Sequence, residues 1–367
     1  MTAVLKALFL FIGAATMSSV SLFSQSPQKS VRVGVYYFDG WSGKTTYAKD
    51  PNAPWAKNAP THLTEALATD FAGREPVWGW RDDSLEIMER QIDLAADSGV
   101  DFFLFCWYWS DNKKSINLDK IAKDSKHTSL ELYMKAKNRD RVRFAINICN
   151  HAGYEILGTE NWAAVGSYLS KYFNDSQYVK VGRKPFVVIF GARAAGDKDL
   201  ASLQKSAKSA GIKNGLSIAG CGSYAEGKKG FTHKTHYNYV PGYSGGSYPR
   251  SYRRDLVEVN KTQWTGTEQQ PYIPSIASGW DKRPWEGERG ARQPEGYYYI
   301  NNTPLVFKNY FEDAIKWMDD NPTKTTKERI ILIYAWNELG EGGYLVPTKD
   351  EPEALKLQAI RSVVKGE

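Results

Sequence analysis

The sequence predicts an α/β chain folded as a single (β/α)8 barrel of the TIM type, with long loops at the carboxyl-end face of its strands. Three observations lead there. Eight strand-like runs are separated mostly by helical periods. The clearest of these runs are apolar at nearly every position, as parallel strands buried on both faces are. A chain of 367 residues can bury one barrel-sized core, and no GxGxxG follows the first run, so an open dinucleotide-binding sheet lacks its main signature.

Residues 1–26 are expected to be a secretory signal. Lys6 gives a weak positive region, Ala7 to Ala15 an apolar run too short to span a bilayer, and Ser18, Ser19 and Ser21 interrupt its continuation. The competing reading is a retained membrane anchor. Cleavage would leave a domain at 27–367 that is secreted or periplasmic, without stable membrane insertion.

The first strand is Val31 to Phe38, delivering Asp39 and Trp41. The next forty residues hold no clean period but hold Trp55, His62, Trp78 and Trp80, as in a long loop packed on its own rings. A helix follows over Asp82 to Ser98, with Leu85, Met88 and Ile92 on one side. Val100 to Trp107 is the second strand, with Tyr108, Trp109 and Asp111 at its outlet, and Leu118 to Asn138 reads as helix. Val142 to Cys149 is the third strand, ending in Asn150 and His151; helix Asn161 to Phe173 and strand Lys184 to Phe190 come next. Asp199 to Ala210 is helical, Leu216 to Ala219 a short fifth strand, and Lys234 to Val240 the sixth. A stretch rich in glycine, tyrosine and arginine, with a helix from Tyr252 to Trp264, precedes the seventh strand, Tyr272 to Ala277, and its outlet Trp280 and Asp281. A second long loop, the helix Pro304 to Met318 and the eighth strand, Ile331 to Ala335, complete the series. In a barrel all strand outlets share one face, which makes residues as distant as Asp39 and Glu341 neighbours.

The eighth outlet carries the chemistry. Trp336-Asn337-Glu338 and Gly340-Glu341-Gly342-Gly343 place two carboxylates, three residues apart, on a glycine-rich turn leaving a buried strand. Glycosidic cleavage needs such a pair, one ionised as base or nucleophile and the other protonated as general acid. The bland alternative is a pair of solvated loop acids. Trp336 and Asn337 are candidates to hold sugar and Glu338. Tyr108, Trp109 and Trp280 are candidate stacking rings, against upper-barrel packing; Tyr237 could orient an acid; Asp39, His151 and Asp281 could bind hydroxyls, against loop bracing or capping.

Composition narrows the classes. Aromatic content of 13%, with 12 Trp and 22 Tyr, suits flat surfaces that stack on sugars. Cys106, Cys149 and Cys221 are an odd count without zinc spacing and read as small core residues. The formal charge of +7 leaves room for an anionic substrate, with Arg283, Arg289 and Arg292 in the second long loop as contributors. No aromatic-basic motif or arginine stripe suggests nucleic acid. No cofactor and no metal are called for, and a monomer is expected.

The stretch AWNELGEGGYLVPT, Ala335 to Thr348, resembles the signature of the family 99 glycoside hydrolases and the broader family 99-like or WbsX-like proteins. The strand VGVYYF, the unit from Glu86 to Trp109, the segment Tyr172 to Phe190 and SGWDKRPW at Ser278 to Trp285 match in the same order. The resemblance implies a barrel and a retaining α-glycosidase. In it, Glu338 is the base that deprotonates the sugar 2-hydroxyl to give an anhydro-sugar intermediate. Glu341 is the acid on the leaving oxygen. Leu339 departs from the aromatic that the family carries there. Other readings are a non-catalytic carbohydrate-binding barrel and a glycosyltransferase-associated protein of polysaccharide assembly.

Overall fold

The computed structural model describes residues 30–109, 116–241, 248–286 and 297–367. The expected signal and the loop residues Asp111, Arg289 and Arg292 lie outside them. Among the described residues, eight parallel strands form the barrel: β1 Arg32–Tyr37, β2 Phe102–Trp107, β3 Arg143–Ile148, β4 Lys184–Ile189, β5 Ser217–Cys221, β6 His233–Thr235, β7 Ser275–Ala277 and β8 Ile330–Tyr334. The paired order is β6-β5-β4-β3-β2-β1-β8-β7. Between β6 and β7 the ladder thins to a bridge, Lys234 to Tyr272, with Ile273 N–H donating to the Lys234 carbonyl at 2.8 Å.

All residues of β2, β5 and β8 are buried, which is why β2 and β8 are apolar without alternation and β5 is built of small and apolar residues after Ser217. Around the sheet lie α1 Leu85–Asp97, α2 Thr128–Lys135, α3 Thr159–Phe173, α4 Asp197–Ser209, α5 Pro304–Asp320 and α6 Leu355–Val364. Ser84 caps α1 through its hydroxyl on the Ile87 N–H, so the helix starts three residues later than Asp82. The loop after β1 packs on its rings as expected, with Trp41 against Phe38 and Trp80.

Three expectations change. The sixth strand ends at Thr235, five residues before Val240, because Thr235 donates its hydroxyl to the Ile273 carbonyl and the chain then leaves the ladder towards the barrel mouth. The seventh strand is regular only over Ser275–Ala277, since Pro274 has no N–H to give the ladder. The helix expected over Leu118 to Asn138 is broken. It runs over Leu118–Lys123, stops where the Asp124 carboxylate accepts the Lys126 N–H at 3.0 Å, makes a single turn over Ser125–His127, and resumes as α2.

Strand β8 pairs with β1 and β7 at once, and Ile333, fully buried, faces Val35 on one side and Ile276 on the other. Ile333→Ala is expected to lower unfolding stability by about 2–5 kcal/mol, read from the denaturant midpoint. Leu305→Ala, at a position 66% exposed, should change it by less than about 0.5 kcal/mol.

Candidate active site

The β1–β8 ladder does not end with its strands. Trp336 N–H donates to the Tyr36 carbonyl at 2.7 Å. The Asn337 side chain then stands in for a further rung, accepting the Phe38 N–H at 2.8 Å and donating to the Phe38 carbonyl at 2.9 Å. Trp41 Nε1 donates to the Asn337 carbonyl at 2.8 Å. Asn337–Glu338 then pairs antiparallel with Gly343–Tyr344, so the two acids sit on a tight reversal. Small residues are required in it. A Cβ on Gly340 would lie 1.9 Å from the Trp285 ring, and one on Gly342, at φ +71°, would lie 2.6 Å from the Asp281 amide nitrogen.

Glu338 is 4% exposed. Tyr237 O–H donates to its Oε1 at 2.5 Å, while Oε2 has no hydrogen-bond partner among the described residues. Glu341 is more open; Tyr334 O–H donates to its Oε2 at 2.5 Å and Lys282 Nζ lies 3.8 Å from its Oε1. The two tyrosine rings touch edge to face, 5.0 Å between centroids. Burial, and then the Glu341 carboxylate, push the Glu338 carboxyl well above the usual range, against the opposing pull of the Tyr237 hydroxyl and the Lys282 ammonium. The two carboxyls are thus held in different environments, as acid–base chemistry requires.

Both acids line a cavity of about 450 Å³ at the carboxyl ends of the strands, within the range of small-molecule sites. One wall is Phe38, His62 and Trp285, with ring centroids 5.0–6.0 Å apart. The other is Tyr108, His151, Tyr154 and Phe190, and Trp280, Tyr237, Asn238, Cys149 and Lys126 complete the lining. Burial lowers the pKa of His151, favouring the neutral ring. Of the residues singled out in the sequence, Glu338, Glu341, Tyr108, His151, Tyr237 and Trp280 are brought together.

Five are not. Asp39 is buried beneath the mouth, accepting from the Ser129 N–H at 2.7 Å and Ser129 hydroxyl at 3.0 Å. Trp109 is buried outside the cavity lining. Trp336 packs on Phe103 and donates to Gln91 at 2.6 Å. Asn337 has its amide on Phe38 rather than on a ligand. Asp281 is bound by Arg74 and Arg283, and although burial alone would raise its pKa, these guanidiniums hold it below the ordinary carboxylate range. Arg74 also donates to the Asp281 carbonyl at 3.0 Å and the Leu339 carbonyl at 3.1 Å, so this ion pair clamps the acid turn. Arg283, expected to meet an anion, is occupied by Asp281 and lies over the Tyr298 ring.

Tyr334, Lys126, Tyr154, Phe190 and Asn238 are additions that sequence reasoning did not assign to the site. Tyr334 was hidden as an ordinary strand residue; its hydroxyl reaches past the strand end. Lys126 was hidden inside an expected helix, although the pair Asp124-Ser125 was a signal for a break.

Comparison with known proteins agrees with this architecture. The family model described as glycosyltransferase WbsX matches residues 80–239 and 230–360. A solved "glycoside hydrolase-like protein" superposes with a TM-score of 0.58 at 15% identity, over 90% of this chain and 94% of that one. The GH99 endo-alpha-mannosidase from Bacteroides thetaiotaomicron superposes with a TM-score of 0.56 at 14% identity, over 92% and 99%. At such identities these two show a shared fold. Among curated proteins compared by sequence, none matches.

Behind the acid turn, Asp82 accepts from Tyr37 O–H at 2.9 Å and lies 3.4 Å from the Asn337 amide. Burial is the main cause that raises its pKa to about 7, while the Tyr37 and Asn337 hydrogen bonds oppose it. Asp39 is pushed up too, by burial and then by Asp82, against its Ser129 bonds. A carboxyl that keeps its proton to about pH 7 when folded, but loses it near its ordinary value of 3.8 when unfolded, binds more protons in the folded state between those limits. Stability therefore falls as pH rises through that window. Chemical denaturation from pH 4 to pH 8 should show this decline, and Asp82→Asn should flatten it.

Proposed function

From the premise that this chain belongs to the WbsX family, we propose that it is a glycoside hydrolase cleaving an α-linked poly- or oligosaccharide through Glu338 and Glu341. The observation that carries this reading is Glu338 itself, a buried carboxyl at a sugar-sized cavity with one oxygen unsatisfied among the described residues. Burial of that kind costs stability unless a ligand supplies the missing bond. A sugar hydroxyl is the donor that fits.

In the proposed first step, Glu338 removes the proton from the 2-hydroxyl, O2 attacks C1, and the bond from C1 to the leaving oxygen breaks as Glu341 gives that oxygen its proton. In the second, Glu341 takes a proton from water, the water oxygen attacks C1, the bond from O2 to C1 breaks, and Glu338 returns the proton to O2. Two inversions give net retention. Tyr237 and Tyr334 each donate to one oxygen of an acid, and Oε2 of Glu338 is the oxygen positioned to take the sugar proton. Lys282 favours the ionised forms that the cycle passes through. The reading includes export on the strength of the apolar run after Lys6.

A second reading, transfer from an activated donor, has one observation in its favour, the transferase name of the family model. Turnover of an activated sugar donor with no hydrolysis of any glycan would establish it instead.

Digestion of a panel of α-linked glycans, read by mass spectrometry and by the anomer first released, tests the hydrolase. Glu338→Gln and Glu341→Gln should each lower turnover by about 100-fold or more with the fold intact, and Glu341→Gln should be less impaired on substrates with good leaving groups. Equal rates for wild type and Glu338→Gln would exclude this mechanism.

The pH profile is a separate check. The acid limb of kcat/KM should lie above the ordinary carboxylate range, because the base must ionise against burial and Glu341. Tyr237→Phe removes a hydrogen bond that favours the ionised form, so that limb should move to higher pH.

A further inference from the structure

Resting on the hydrolase reading, we propose that the glycan is anionic and that Lys126 recognises its charged substituent, a sulfate ester or a carboxylate. Lys126 lines the same cavity as the acid pair. Among the described residues its ammonium has no carboxylate within ion-pair distance, and it lies 5.7 Å from the centroid of the Tyr154 ring. The other lysine beside the acids, Lys282, is already placed against Glu341.

The backbone under Lys126 is fixed. Asp124 accepts its N–H at 3.0 Å, and Ser42 donates its hydroxyl to the Ser125 carbonyl at 2.6 Å. His127 is buried and stacked on Trp107, with its ring nitrogens 3.0 Å from the Ile121 and Tyr108 carbonyls. The helix break at Asp124 thus delivers a cation to the cavity on a rigid turn. A mobile surface lysine would lose more side-chain and backbone freedom on binding. Lysine can donate to a neutral hydroxyl as well, but a charge-assisted bond to an anion is about twice as strong. The test therefore reads charge directly.

The probes are α-linked oligosaccharides in two matched pairs: a sulfated one with its desulfated form, and a uronate-containing one with its carboxyl-reduced form. For at least one pair, wild type should favour the charged member in kcat/KM by about 10-fold or more, and Lys126→Gln should narrow that ratio about 10-fold, mainly through KM. The pair that responds identifies the group. Calorimetry on Glu341→Gln protein, with and without Lys126→Gln, measures binding apart from cleavage, and affinity for the charged member should fall as salt is raised. Lys126-dependent binding without any cleavage would leave this inference standing and remove the hydrolase reading. Cleavage of neutral members as fast as charged ones, a charge ratio unchanged by Lys126→Gln, or no binding of either charged probe would overturn it. Circular dichroism and thermal melting of Lys126→Gln confirm that the fold is kept.

Discussion

The pair of hydrogen bonds between the Asn337 carboxamide and the Phe38 backbone is the constraint on which the mouth of the barrel depends. Where β1 and β8 stop pairing, Phe38 would be left with a buried N–H and carbonyl, each costing about 1–3 kcal/mol if unmet. A backbone rung would satisfy them but would carry the chain straight on. A side-chain amide satisfies them and frees the Asn337 backbone to reverse, which puts Glu338 and Glu341 over the cavity. Trp41, Gln91 and Asp82 close the same cluster from the loop after β1 and from α1, so the acid turn is held by neighbours that never meet the cavity contents.

Above that cluster the charges are arranged unequally. Glu338 is enclosed, with a tyrosine on one oxygen and no described residue bonded to the other; Glu341 is more open and has a cation nearby. Repulsion between the two carboxylates favours one proton shared over the pair rather than none, and burial biases that proton towards Glu338. A ligand hydroxyl at the vacant oxygen would help to reverse the bias. Arg74 and Asp281 brace the turn from outside the cavity lining, and Lys282 is the cation that pulls on the Glu338 carboxyl.

Much of this was legible in the sequence, for physical reasons. Strands buried on both faces have no polar positions, so runs such as FFLFCW and IILIY announced β2 and β8. Glu338 and Glu341 were legible because charge beside Trp336 and among glycines is out of place on an ordinary surface. The side chains pointing out of the barrel mouth were not. Asp39 and Asp281 sit at strand outlets as expected, yet one faces Ser129 and the other is consumed by arginines; outlet position fixes the backbone and leaves the side-chain direction to distant partners. Lys126 was missed because helical periodicity continues through Leu118 to Asn138 while a local cap at Asp124 overrides it. The sixth strand was overcalled because Tyr237 and Tyr239 keep the alternation of a strand after the ladder has ended.

The Asn337 rung joins the first strand of the barrel to the last. During synthesis, the backbone of Phe38 emerges roughly three hundred residues before the amide that completes it, and no shorter stretch of the chain holds both halves of the acid turn's support. A ribosome-bound or prematurely terminated polypeptide can assemble β2 to β5 through neighbouring contacts and still present no formed cavity floor. The support of the acid turn therefore forms only when the first and eighth strands of the barrel are both present.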